Sequence, residues 1–255
     1  MKQQIFLGMQ RWDEQIISHL KKFSESVHGI ILGDPFCPLR MFVNGNWDIP
    51  LFAEIAKSKG FKVALQTPVY LTQRNFSDTF YLIRSLSRRK LVDLLFIQDV
   101  GLLSKIKEFH CSVPICWSFW GRTRSDSISR DIVDFYMQLG VTYLEITKSN
   151  RIYPLQKYGL KVIYRLYSYE IATFGRICYT QYVTNTKCSD GKLCTYQHPE
   201  LIAVGSELKL KAQGYTLEYV KPVSFNLPTS APDFLTIHVE NLEQLPQILN
   251  NIDGK

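Results

Sequence analysis

Short apolar runs with the character of β-strands alternate with helical patterns along most of this 255-residue chain. Most of the runs are followed by a segment whose apolar residues recur at helical spacing. The predicted strands are eight: 3–8, 28–33, 62–67, 92–97, 113–117, 141–146, 161–167 and 235–239. Continuous apolar strands followed by helices are typical of parallel sheets that are covered on both faces. Eight such units in a chain of this length predict an α/β fold, a TIM-like (β/α)₈ barrel, rather than an open doubly wound sheet.

One long segment interrupts this alternation. Residues 169–225 are rich in Cys, Tyr, Thr and Lys and show no helical stripe. A stretch of this length inside a compact domain is either functional or organised by something other than a hydrophobic core. We therefore predict a single barrel domain over residues 1–255, with 169–225 as an irregular, metal-organised, cysteine-containing insertion after strand seven.

Composition excludes several classes of protein. Hydrophobic residues make up 45% of the chain and charged residues 21%, which excludes intrinsic disorder. No apolar run of about 18 residues occurs, so no membrane span is expected. The N-terminus lacks the pattern of a secretory signal, which predicts a cytoplasmic protein whose six cysteines are not in disulfides. The net charge of +7 leaves RNA open as a partner, although it also suits a basic enzyme surface.

Four of the cysteines form a candidate metal site. Cys178, Cys188 and Cys194 are spaced C-x₉-C-x₅-C within the insertion, and Cys37 follows the second strand. In a barrel, the end of strand two and the segment after strand seven belong to the same rim, so the four thiols could converge. Four thiolates suit either a [4Fe–4S] cluster or tetrahedral Zn²⁺. The wide and unequal spacing favours the cluster.

Zinc remains an alternative for this site. His198 follows Cys194 at C-x₃-H spacing, which would allow a mixed Cys/His zinc site. Cys111 and Cys116 border or belong to an apolar run, and we predict that they are small packed side chains.

Catalytic and substrate-binding candidates come from the same rim, since barrel enzymes place active groups at the carboxyl ends of strands. Asp99, Glu145 and His238 follow or end predicted strands and are the candidates for acid–base work. The segment after strand five combines aromatic rings with cationic side chains that could stack on a ring and bind an anion. Its predicted substrate contacts are Trp117, Trp120, Arg122 and Arg124.

Four short motifs occur in an order that resembles a known family. They are Gly33-Asp34-Pro35-Phe36-Cys37, Gln98-Asp99-Val100-Gly101, Leu144-Glu145-Ile146, and Gly175-Arg176-Ile177-Cys178 followed by two more cysteines. Together they resemble the collagenase-like "U" peptidase family, and within it the UbiU/UbiV branch of oxygen-independent hydroxylation in ubiquinone synthesis. The resemblance covers roughly the first 200 residues and rests mainly on the four cysteines.

The resemblance implies a TIM-like barrel that holds a [4Fe–4S] cluster through Cys37, Cys178, Cys188 and Cys194. It implies oxygen-independent hydroxylation of a small aromatic substrate such as a ubiquinone precursor, and it makes classical peptidase activity unexpected. Related members hydroxylate RNA bases, so an RNA-modifying enzyme is the alternative. A second alternative is a non-catalytic subunit that pairs with a paralogous barrel protein as a heterodimer, and a third is a protease-like family member.

The chain departs from the family pattern at two places. Ile177 separates Arg176 from Cys178, where the family has Arg directly before the cysteine. Lys161, Ile163 and Arg165 occupy a strand on which the family carries acidic residues. These departures bear on catalytic detail more than on cluster binding, and the missing acids favour the partner-subunit alternative.

Overall fold

A computed structural model gives the fold over most of the chain. The residues it describes are 4–9, 12–37, 48–118, 128–168, 171–174, 178–179, 182, 200–202, 209–213, 216–219, 223–224, 227–228 and 230–253. In these ranges no helix is both long enough and apolar enough to cross a bilayer.

The described residues form thirteen strands. In chain order they are β1 (Ile5–Met9), β2 (Val27–Gly33), β3 (Lys62–Gln66), β4 (Leu94–Ile97), β5 (Ile115–Ser118), β6 (Tyr143–Ile146), β7 (Lys161–Ser168), β8 (Ile171–Phe174), β9 (Glu200–Ile202), β10 (Lys209–Gln213), β11 (Thr216–Tyr219), β12 (Val223–Ser224) and β13 (Phe234–Val239). Eight of them pair in parallel in the order β1-β2-β3-β4-β5-β6-β7-β13, and β13 pairs back onto β1. The predicted closed (β/α)₈ barrel is therefore confirmed, and each predicted strand is present with its ends within two residues.

Helices follow most of the barrel strands. They are α1 (Glu14–His19, continued by a 3₁₀ turn over Leu20–Phe23), α2 (Ile49–Ser58), α3 (Gln73–Arg88), α4 (Val100–Glu108), α5 (Arg130–Gln138), α6 (Ile152–Lys157) and α7 (Leu245–Asp253). Side-chain oxygens cap the first turns of five of them by accepting backbone N–H groups, which satisfies donors that the helix itself leaves unpaired. The capping residues are Asp13, Asp48, Thr72, Asp99 and Ser129.

Two separate apolar cores result from the alternation of side chains along the strands. The larger core lies between the barrel and its helices and includes Leu7, Leu65 and Leu144. The smaller core fills the barrel interior. It consists of Phe6, Ile31, Ala64, Leu94, Phe96, Cys116, Tyr143 and Ile163.

The prediction that residues 169–225 are irregular was wrong for the part that the structure describes. β8, β11, β10 and β9 pair antiparallel into a second sheet. Within β10, Leu210 and Ala212 alternate with lysines, and Ala212 is fully buried. This two-residue period is that of a half-buried strand, but strands of three to five residues give too short a pattern to stand out.

Gly33, the last residue of β2, provides a test of the barrel geometry. Its φ is +106°, and a Cβ there would lie 2.1 Å from the backbone oxygen of Gln66 on β3. Gly60 has a similar φ of +87°, but a Cβ there would meet nothing within 4 Å. Gly60→Ala should therefore cost about 1 kcal/mol through backbone strain alone. Gly33→Ala should cost about 1–3 kcal/mol more, because it also pushes two strands apart.

Urea unfolding of the two variants and the parent chain would measure this difference. Equal losses for the two variants would contradict the close approach of β2 and β3 at Gly33.

Candidate functional site

The barrel interior changes from apolar to polar at the carboxyl ends of the strands. On β3, for example, the interior residue Ala64 is followed two positions later by Gln66, and on β6 Tyr143 is followed by Glu145. Residues two apart on a strand share a face, so these polar side chains form the next layer of the interior. We call this the polar layer. Its members, all buried, are Gln66, Gln98, Ser118, Glu145, Arg165, Thr236 and His238.

Glu145 is the centre of one half of the polar layer. Its Oε2 accepts a hydrogen bond from Nη2 of Arg165 at 2.6 Å and another from the Ser118 hydroxyl. Its Oε1 accepts one from the Thr236 hydroxyl at 2.7 Å. The side chain of Glu145 is fully buried and that of Arg165 is 8% exposed. One carboxylate therefore joins four neighbouring strands, β5, β6, β7 and β13.

The carboxyl group of Glu145 is ionised at neutral pH. Burial by itself would raise the pKa of Glu145, but the charge and hydrogen bond of Arg165 outweigh it and lower the pKa to about 2. A buried carboxylate is tolerated in an ion pair when further hydrogen bonds satisfy its oxygens, and Ser118 and Thr236 supply such bonds to Glu145. A general base works best with a pKa near the working pH. Glu145 therefore suits electrostatic positioning better than the acid–base role predicted from sequence.

His238 lies at the other side of this network, where β13 meets β1. The strand register pairs it with Gly8, and a Cβ at position 8 would lie 2.2 Å from Nδ1 of His238. The pKa of His238 is lowered to about 3, chiefly by burial and also by the charge of Arg165, against the opposing effect of Glu145. The imidazole is therefore uncharged at neutral pH. It can exchange hydrogen bonds with a ligand, but it is a weak proton acceptor.

Cys37, the first predicted metal ligand, is held by a rigid turn after β2. Oδ1 of Asp34 accepts hydrogen bonds from the backbone N–H groups of Phe36, at 2.7 Å, and of Cys37, at 3.0 Å. The N–H of Val69 donates to the backbone oxygen of Pro35 at 2.9 Å, which ties the turn to the chain after β3. Cys37 is 1% exposed. Its position is thus set by contacts with two strand ends.

The second predicted ligand, Cys178, is also a buried thiol, and its backbone oxygen accepts a hydrogen bond from Tyr182 at 3.0 Å. The other predicted ligands, Cys188 and Cys194, lie outside the described residues, as does His198. Within the described residues no group of three or more metal-binding side chains is found. That part of the chain contains only two of the four predicted cysteine ligands.

A cleft opens between the carboxyl ends of β1, β2, β3 and β13. The space between its walls is about 410 Å³ when the open solvent above it is counted, and its enclosed part has room for about one water molecule. Gln66, Asp34 and His238 are its polar lining residues. Its apolar lining residues include Met9, Ile31, Phe36 and Val239. The cleft therefore combines an apolar wall with a few polar groups, as small-molecule sites usually do.

Two predicted site residues have structural roles. Trp117 is 2% exposed and stacks on Tyr136 of α5, with ring centroids 4.3 Å apart. Because its neighbours Cys116 and Ser118 face the barrel interior, Trp117 faces outward, and its prediction as a substrate contact was wrong. Asp99 caps α4 by accepting the N–H of Leu102 at 2.9 Å. Trp120, Arg122 and Arg124 lie outside the described residues.

The two cysteines predicted to pack do so. Cys116 is fully buried in the barrel interior, where burial raises the pKa of its thiol well above the ordinary value. Cys111 is half-buried against the outer core, and its Sγ lies 3.4 Å from Oγ of Ser87.

Sequence reasoning gave no role to Arg165, Thr236, Ser118 or Gln66. A signal did exist for the first of these. Arg165 stands inside the apolar strand Lys161–Ser168, and a charge within a buried strand requires a partner. The other three are ordinary polar residues at strand ends, and only the closed barrel shows that they share a layer.

Comparison with known proteins identifies no family for this chain. No protein-family model and no curated protein matches the sequence. Among solved structures, a truncated 3-deoxy-D-arabino-heptulosonate 7-phosphate synthase from Thermotoga maritima is 15% identical, with a TM-score of 0.44 over 64% of this chain and 63% of that one, less than two thirds of its length. A 3-dehydroquinate dehydratase from Geobacillus kaustophilus is 10% identical, with a TM-score of 0.45 over 67% and 74%. A 3-keto-L-gulonate-6-phosphate decarboxylase from Vibrio cholerae is 9% identical, with a TM-score of 0.45 over 72% and 83%.

The buried ion pair can be tested against an exposed one. Glu145→Gln should lower the free energy of unfolding by about 3 kcal/mol, because it leaves the Arg165 charge buried without a carboxylate. Glu54 pairs with Arg89 on the surface, where both side chains are nearly half exposed. Glu54→Gln should therefore cost less than about 1 kcal/mol. Chemical denaturation measures both values, and similar losses would contradict a central role for Glu145.

The neutral state of His238 predicts a pH dependence of stability. Its pKa is about 3 in the folded chain and near the ordinary 6.5 when unfolded. Below pH 6.5 the unfolded chain therefore binds a proton that the folded chain does not. The free energy of unfolding should fall by roughly 1 kcal/mol per pH unit as the pH drops. Below the ordinary carboxyl value of 4.5, Glu145 adds a second loss, since its folded pKa is about 2.

The variant His238→Asn should remove the part of this slope between pH 6.5 and pH 4.5 that His238 contributes. His28 keeps its own share, since burial lowers its pKa too. Unfolding curves at a series of pH values test this. An unchanged slope in His238→Asn would show that His238 is not buried in its neutral form.

Proposed function

We propose that this protein is a [4Fe–4S] barrel protein of the UbiU/UbiV type that acts in oxygen-independent hydroxylation of a small aromatic substrate such as a ubiquinone precursor. The observation that carries the proposal is the buried Cys37 thiol, which the Asp34 turn holds at the carboxyl end of β2. Carboxyl ends of barrel strands are where barrel enzymes carry out their chemistry.

The chemistry of the described donor residues supports such a cluster. Iron–sulfur clusters are bound by cysteine thiolates, and both Cys37 and Cys178 are buried thiols. Cys37 follows the carboxyl end of β2, and Cys178 follows β8, which begins three residues after β7 ends. We propose that Cys188 and Cys194 complete the ligand set. Zn²⁺ on the same cysteines is the alternative.

When bound, the cluster would supply one-electron chemistry. The chain's own residues would position the ligand and the substrate. Asp34 orients the segment that carries Cys37 through two N–H bonds. Glu145 fixes Arg165 through an ion pair, so that the polar layer next to a substrate is already ordered before it binds.

The proposal includes a partner and a location. We propose that the protein acts in the cytoplasm together with a paralogous barrel subunit. A hydroxylation assay under nitrogen, supplied either with an organic hydroxyl donor or with water and a two-electron acceptor, and read by mass spectrometry as the gain of one oxygen atom, would distinguish the roles. Activity only in a mixture with a copurifying barrel protein would identify a subunit, whereas activity of the isolated chain would identify a complete enzyme.

Metal content after anaerobic purification tests the cluster directly. The parent chain should contain iron and sulfide in equal amounts and absorb visible light through thiolate-to-iron charge transfer. Cys37→Ala and Cys178→Ala should each lose most of both, because each removes a ligand. Cys111→Ala is the matched control, since Cys111 packs beside Ser87 and should keep the full amount.

Two results would overturn this proposal. One is an iron-free protein that retains Zn²⁺, and the other is full iron content in Cys37→Ala.

A further inference from the structure

We propose that the end of the barrel at which the strands begin docks on the surface of an anionic lipid bilayer. Cys37, the polar layer and the cleft all lie at the opposite end, where the strands finish. The inference therefore goes beyond the proposed function and does not depend on it.

The docking surface consists of the helix ends, the turns that follow them and the first residues of the strands. We call it the basic face. Its residues are 20–27, 57–62, 88–94, 105–115, 137–143, 157–161, 230–234 and 252–253. In the sequence these segments are scattered, but the closed barrel brings the starts of all its strands to one end.

The basic face accounts for the whole net charge of the chain. Its twelve cations are Lys21, Lys22, Lys57, Lys59, Lys62, Arg88, Arg89, Lys90, Lys105, Lys107, Lys157 and Lys161. Its five acidic residues are Glu25, Asp93, Glu108, Asp233 and Asp253. Removing both groups from the 30 cations and 23 acidic residues of the chain leaves 18 of each sign. The excess charge of +7 is therefore concentrated on one face, as it is in proteins that bind polyanions.

Most of these cations are free to meet a partner. Four of the twelve pair with Asp93, Glu54 or Glu108. The other eight form no ion pair within the described part of the chain, and they are Lys21, Lys22, Lys59, Arg88, Lys90, Lys107, Lys157 and Lys161. Seven of the eight are exposed, and Lys59 is half-buried. Residues 1–3 and 254–255, which adjoin β1 and α7 in the sequence, contain two lysines and no aspartate or glutamate.

Helix dipoles explain only part of this charge. Cations are favoured near the carboxyl end of a helix, and these helices end at the basic face. Yet α5 has no basic residue in its last turn, whereas Arg88, Arg89 and Lys90 follow one another at the end of α3. The distribution of the cations thus does not follow the requirements of the helices one by one.

The arrangement of the unpaired cations suits a planar surface. They come from the ends of α1, α2, α3, α4 and α6, which surround the barrel, and the turns there contain only three to six residues. A bilayer can contact all of these ends at once, whereas a nucleic-acid strand reaches only those along its path. Seven of the eight are lysines, whose flexible point charges suit a diffuse layer of headgroups better than the bidentate contacts typical of arginine.

Apolar and aromatic side chains occupy the part of the face that has fewest cations. Met137, in the last turn of α5, is 39% exposed, and Tyr158, directly after α6, is 42% exposed. Tyrosine is enriched at membrane–water interfaces. An open groove of about 540 Å³ lies beside them, with Met137, Lys107 and Lys161 among its lining residues and no acidic residue in its described lining. It offers a lipid phosphate two cations and an apolar wall.

Cosedimentation of the anaerobically purified full chain with vesicles tests the proposal. Vesicles of equimolar phosphatidylglycerol and phosphatidylcholine should bind the protein at low ionic strength. Binding should weaken steadily as NaCl is added, because salt screens exposed charges. Vesicles of phosphatidylcholine alone should leave the protein in the supernatant.

Charge-removing variants locate the binding surface. Lys22→Gln/Lys107→Gln changes two exposed lysines from different turns of the basic face and should weaken vesicle binding about fivefold for each lysine, or about 25-fold for the pair. Lys148→Gln/Lys209→Gln is the matched control, because it removes the same charge from exposed lysines after β6 and on β10. The control should bind as the parent does, within about twofold. Lys21→Gln/Lys157→Gln provides a second pair on the basic face, and circular dichroism verifies that each variant is folded.

Three results would overturn the inference. One is the absence of binding to phosphatidylglycerol vesicles at low ionic strength, and another is an equal loss of binding in the basic-face and control variants. The third is binding of a single-stranded DNA oligonucleotide, but not of these vesicles, at physiological salt, which would identify the basic face as a nucleic-acid surface instead.

Discussion

The carboxyl end of the barrel depends on one buried ion pair. Glu145 is fully buried, and it accepts hydrogen bonds from side chains of β5, β7 and β13 while it stands on β6. Neither charge would be tolerated there alone, because desolvating an unpaired ion costs several kcal/mol. The pair therefore requires all four strands in their observed register. The side chains of this ion pair and its hydrogen-bond partners therefore fill one half of the barrel mouth.

The opposite half of the mouth is open rather than filled by side chains. There β1 and β2 contribute Gly8 and Gly33 in place of side chains, and the space they leave is the cleft. His238 stands at the boundary between the halves and is uncharged because it is buried. The buried ion pair thus lies on one side of the barrel mouth and the open cleft on the other. A ligand in the cleft would be close to fixed charges without displacing their partners.

Sequence patterns predicted the barrel well because strand and helix periods are local properties. Side-chain partners are not local, since Arg165 lies 20 residues from Glu145 and Thr236 lies 91 residues away. The error at Trp117 has a related cause. Whether a strand residue faces in or out depends on its parity in the strand, and Trp117 has the parity opposite to that of Ser118. The residue types at the end of a strand do not show which side chains face the barrel interior; the strand register is needed for that.

The structure of the insertion after β7 bears on whether a bound metal would serve folding or chemistry. A long segment without a core would need a metal simply to remain folded. Yet its described part has its own antiparallel sheet with the buried Ala212, and Lys211 of β10 pairs with Glu240, next to the end of β13, at 2.6 Å. Hydrogen bonds and an ion pair thus already organise this part and anchor it to the barrel rim. A cluster bound by Cys37 and Cys178 would therefore contribute chemistry at the rim more than it would contribute to folding.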